Sequence, residues 1–102
     1  ELFVTLQVGD DPPRQEVPPI TLDETRRRTL VDDVRLPLVH MAWHSPKAYE
    51  RGDAELDLLA GLLAEAPSGR LYRRLVVEEP LCADVAAFQY SGVLGSSFHV
   101  QA

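Results

Sequence analysis

The chain is poor in cysteine, in positive charge and in long apolar runs, and each shortage removes a class of function. Cys82 is the single cysteine in 102 residues, which excludes an internal disulfide and a multi-cysteine zinc site. Its position at the start of an apolar pattern reads as a small buried residue. Lysine and arginine number 10 against 16 aspartates and glutamates, for a formal charge of -6, so neither nucleic acid nor an anionic membrane surface is an expected partner. The arginine clusters Arg26 to Arg28 and Arg70, Arg73 and Arg74 have acidic neighbours and read as solvated faces or local ion pairs. No run of eighteen apolar residues is present, so no helix of this chain is set to span a bilayer. There is no GxSxG elbow, no phosphate-binding glycine loop, and no HExxH or HxxEH motif.

What is present is the composition of one globular domain, 45% apolar and 25% charged. Residues 1–21 read as a strand or remnant followed by a proline-rich linker. Its stretch Asp10 to Pro19 carries four prolines, which lack the amide proton that a regular element needs. Residues 22–102 read as a partial α+β domain. A charged edge strand is expected near residues 25–33, with Leu30 facing away from Thr29 and Val31. Leu38 to His44 alternates with both faces largely apolar, the pattern of a central strand.

Gly52 to Leu81 holds two consecutive helical patterns. Leu56, Leu59, Ala60 and Leu63 follow the i, i+3, i+4, i+7 spacing, and Leu58 and Leu62 widen the arc until the helix reads as largely buried. Asp53, Glu55 and Asp57 favour its N-terminal end. Ser68 is the candidate N-cap of the second helix, which carries Leu71, Tyr72, Leu75 and Val76 and stops at Pro80. Cys82 to Tyr90 then reads as a long strand, Ser91 to Gly95 as a hairpin connection and Ser97 to Ala102 as the returning strand. The expected order is ββααββ: an antiparallel or mixed sheet with both helices on one face.

Three histidines invite a metal reading. On a strand, His40 and His44 share a face but lie about 13 Å apart at roughly 3.3 Å per residue, too far for two nitrogens each about 2 Å from one ion. His99 stands isolated in the sequence and reads as a structural or surface histidine. Ser68 reads as a cap in preference to a nucleophile, and Glu78 and Glu79 as solvated carboxylates in preference to a general base pair. No catalytic, cofactor-binding or metal-ligating residue is assigned.

Several features stand in a telling order: Trp43 to Pro46 closing a strand, Asp53 with its leucine-rich helix, Ser68 to Tyr72, Leu75 and Val76, Ala83 to Phe88, and a glycine hairpin. Together they resemble the non-catalytic, C-terminal-type domain of the insulinase, or pitrilysin-like, zinc metallopeptidases, the group that includes mitochondrial processing peptidase. The resemblance covers Arg35 to the end, and the linker more loosely. It implies one of several homologous α+β domains around a closed chamber, with zinc and its general base held elsewhere, by an HxxEH motif and a downstream glutamate in the parent's metal-bearing domain. A related domain of that family offers a substrate-binding arginine and tyrosine. The matching positions here are Val76 and Ala83, which carry no such hydrogen-bonding groups.

The resemblance thus implies a structural, chamber-forming domain of a zinc metalloendopeptidase, truncated relative to the family domain, with no cofactor of its own. The expected partners are a homologous metallopeptidase domain, in the same chain or a partner subunit, and peptide substrate in the parent. A catalytically inactive relative serving as scaffold or assembly subunit is the alternative. A sheet left with an open edge is also expected to self-associate. The compartment is left open.

Overall fold

The computed structural model describes residues 9–18 and 20–102. The expected strand or remnant at residues 1–8 lies outside the described residues. The proline-rich segment forms no regular element, as its missing amide donors require. The ordered elements run β1 (His40–Ser45), α1 (Asp53–Ala64), a single helical turn α2 (Arg70–Tyr72) continuing as a π-helical stretch (Arg73–Glu78), β2 (Ala86–Tyr90) and β3 (Ser96–Gln101). The chain is α+β, and the described residues form one three-stranded antiparallel sheet in the order β1-β3-β2.

The expected strand near residues 25–33 is absent. That segment is irregular and exposed, with Leu30 and Val31 uncovered. Arg26 to Arg28 and Asp32 to Asp33 flank only three uncharged residues, so neither side of an extended chain offers an apolar face to bury, and strand propensity alone does not hold a pairing. Leu38 to His44 is also not central. Among the described residues, β1 is an edge strand and β3 lies between its two neighbours.

The alternation of β3 explains its place. Ser96, Phe98 and Val100 are buried on the helix side, while Ser97, His99 and Gln101 are partly covered on the other. Register carries the alternation outward: Met41 and Ala87 flank Val100, and Trp43 and Gln89 flank Phe98. Opposed residues of an antiparallel pair share a face, so Met41, Trp43, Ala87 and Gln89 all lie on the helix side. There Phe98, Val100 and Ala60 form the core cluster, with Leu56, Leu63, Leu71 and Ala87 packed against it.

Helix α1 is not largely buried as its leucine content suggested. Ala60 and Ala64 are buried, whereas Leu58 and Leu62 are 71% and 68% exposed. A three-stranded sheet covers one stripe of a helix, so the second half of the apolar arc faces out.

The turn between the helices also departs from expectation. Ser68 is exposed and makes no cap; Gly69 occupies the N-cap position without a side-chain bond. A Cβ at Gly69 would sit 2.7 Å from the backbone of Ala64 and Glu65, so glycine is required where the chain doubles back on α1. Cys82 to Val85 is irregular, and the last strand pair starts only at Ala86. Cys82 is half-buried, its thiol 3.7 Å from the Leu75 carbonyl oxygen, in place of the buried strand residue expected.

Candidate functional site

Two polar constellations stand out, one at each side of the sheet. The first is built on Asp53, the opening residue of α1. Its Oδ2 accepts from the Tyr49 amide at 2.8 Å. Its Oδ1 accepts from Gln89 Nε2 at 2.6 Å and from the Ser91 hydroxyl at 2.6 Å. One carboxylate therefore ties the helix start to the loop before it, to β2 and to the β2–β3 connection. The carboxyl is held below the usual carboxylate range, chiefly by the Ser91 hydroxyl and next by the Tyr49 amide; desolvation opposes them and Gln89 adds the smallest share.

Local geometry aims this carboxylate. Gly52 adopts φ 100°, a left-handed conformation open to glycine, and its amide donates to Glu55 Oε2 at 3.0 Å. Tyr49 also has a positive φ, 68°, with an exposed ring. With all its short bonds made to fixed neighbours, Asp53 is a clasp and not a base awaiting a proton.

The second constellation lies on the open face of the sheet. His40, Ala42 and His44 of β1, Ser97 and His99 of β3, and Phe88 and Tyr90 of β2 share it by register. His99 is not isolated as the sequence suggested: its Nδ1 lies 2.9 Å from His40 Nε2, and its Nε2 lies 2.7 Å from the Ser97 hydroxyl. The Phe88 ring stacks on His99 at 5.0 Å between centroids with an 11° interplanar angle. This face is a hydrogen-bonded imidazole chain backed by an aromatic ring. The signal for it is the register that sets His99 opposite Ala42, one alternation from His40.

Elsewhere the assigned residues stay apart. Arg73 lies 3.5 Å from Glu78, and Arg74 pairs with Glu79, all four side chains exposed; these are the local ion pairs that the charge pattern suggested. Val76 is half-buried in the π-helical stretch and Ala83 is exposed on the irregular segment before β2. Among the described residues, no group of three or more histidine, cysteine, aspartate or glutamate side chains is arranged to hold a metal ion, and no helix is long and apolar enough to cross a membrane.

Comparison with known proteins gives one family. A family model described as the peptidase M16 inactive domain matches residues 1–102. No curated protein and no solved structure matches the chain.

Proposed function

Because the chain belongs to the peptidase M16 inactive-domain family, we propose that it is a structural, chamber-forming domain of a zinc-dependent metalloendopeptidase. The match of the inactive-domain type along residues 1–102 carries this reading. Two features support it: the chain contains no HxxEH motif, and the family resemblance puts Val76 and Ala83 at the positions where a related domain offers a substrate-binding arginine and tyrosine.

In the parent, zinc would polarise the scissile carbonyl and activate water while a glutamate takes the proton. This chain's own residues do none of that. Residues 22–102 act as the domain, with the strand or remnant and proline-rich linker of residues 1–21 before it, and the domain packs against a homologous metal-bearing domain in the same chain or in a partner subunit. The exposed leucines of α1, with Val77 and Leu81 beyond it, supply apolar surface of the kind that such packing covers.

The test is reconstitution with the metal-bearing domain encoded by the parent gene. The chain alone is expected to leave an unstructured peptide uncut, and the combined domains to cut it in a chelator-sensitive manner. A parent gene without an HxxEH motif would sink the peptidase reading in favour of a scaffold subunit.

A further inference from the structure

Helix α1 has a second face that the sheet leaves bare. Leu56, Ala60 and Leu63 turn to the core. On the opposite side Glu55, Leu58 and Leu62 follow one line by steps of three and four residues, and Glu65 at the C-cap continues it. Leu58 and Leu62 are 71% and 68% exposed, and Leu59 beside them is 39% exposed. The line is an apolar centre closed at each end by a carboxylate, the two ends lying about 15 Å apart by the rise of a helix. From Asp53 to Glu65 the sequence carries four carboxylates and no lysine or arginine. Among the described residues the ion pairs join Arg73 to Glu78 and Arg74 to Glu79, and none reaches this face.

Two residues of this face work against the helix that carries them. Gly61 sits inside α1, where glycine is the poorest helix former after proline. Outside the helix backbone, a Cβ there would meet only the flexible end of the Glu65 side chain, at 3.4 Å, so the packing of the single chain does not call for glycine. Glu65 sets an anion at the C-terminal end of α1, where the helix dipole favours a cation, and the last turn holds no basic residue. A close, positively charged neighbour accounts for both: glycine lets a second backbone approach, and a cation on it meets Glu65. Breaches of local rules are expected where a surface has work to do.

We propose that the outward face of α1 docks a helix whose contact stripe is apolar and flanked by arginine or lysine. The inference deepens the chamber-domain reading and rests on it for the source of that helix, the metal-bearing neighbour; its shape and charge are read from α1. A helix is the fitting shape, because ridges of side chains on one helix pack into the grooves of another, most closely beside a small residue such as Gly61. Charge excludes the nearer candidates. The α1 face of a second copy, turned about Leu58 and Leu62, sets Glu55 against Glu65 and repels. Residues 1–8 contain no lysine or arginine. Nucleic acid and an anionic membrane are repelled by the same carboxylates. A basic helix, by contrast, covers the leucines and places its cations at the two acidic ends.

The test uses the full chain and two labelled helical peptides of about five turns, identical in their leucine stripe and flanked by lysine in one and by glutamate in the other. Fluorescence anisotropy is expected to show the lysine peptide binding about 10-fold or more tighter than the glutamate peptide, a preference that salt reduces. Gly61→Leu replaces glycine with a strong helix former, so circular dichroism should show an intact fold while the lysine peptide loses about 10-fold or more in affinity. Glu65→Lys suits the helix dipole and should erase the preference between the two peptides without unfolding the chain. No binding of the lysine peptide, equal binding of both, or binding that survives Gly61→Leu overturns the proposal. So does a wild-type dimer in sedimentation velocity that excludes the peptide, since a second copy then takes the face. These outcomes are separate from the chamber-domain reading, which stands or falls on chelator-sensitive cleavage by the combined domains.

Discussion

The two faces of the sheet use the same three strands to opposite ends. On the helix side the chain stacks Phe98, Val100 and Ala87 under Ala60, and binding strength comes from excluding water. On the open side it lines up His40, His99 and Ser97 with Phe88, and the contacts are directional bonds between groups that water still reaches. The contrast teaches where this small domain is vulnerable: stability should reside almost wholly on one face, while the other is free to change chemistry.

The largest break in that contrast is Phe98→Ala. Phe98 is 7% exposed at the centre of the core cluster, and truncating a buried phenylalanine costs about 3–5 kcal/mol. In a domain with so few buried side chains, this variant should be largely unfolded in urea titrations where the wild type is folded. Gly69→Ala comes next. Its new Cβ meets backbone at 2.7 Å, so the turn onto α2 must open, at about 1–3 kcal/mol measured by the same titration.

Asp53 sharpens the comparison through pH. Its carboxyl titrates below the ordinary value of 3.8, so its contribution is fully present above that value and is lost as pH falls through the lower folded one. Asp53→Asn should therefore flatten the acid limb of the stability curve and leave its neutral-to-basic shape unchanged. A variant with the same acid limb as wild type would mean that the three hydrogen bonds hold no charge in place. The smallest effect belongs to the open face. His40→Ala should shift stability by about 0.5 kcal/mol or less, since His40 is exposed and its bond to His99 competes with water.

How far these features were legible in the residues differs from one to the next. The two helices, the hairpin and the terminal strand announce themselves by periodicity and by glycine and proline punctuation, and all four stand in the fold. The strand near residues 25–33 does not, because alternation there was carried by Thr29, Leu30 and Val31 alone, and Leu30 and Val31 stay 83% and 96% exposed. The leucines of α1 predicted a largely buried helix, yet burial depends on how many layers surround a helix, which its own sequence does not encode. Ser68 looked like a cap by residue type, but the tight approach of Ala64 and Glu65 moved the cap to Gly69.

The sequence by itself determined the α+β class, the run of helices between strands, the absence of a zinc-peptidase motif and the resemblance that the family match later matched. Those properties are local or can be counted along the chain. Tertiary structure alone decided that β3 lies between β1 and β2, that Asp53 clasps β2 to α1, and that His40 meets His99 across 59 residues of sequence. The physical reason is register. An antiparallel pairing is set by which faces of distant strands bury together, and a shift of one residue would send His99 to the helix side and Phe98 to solvent.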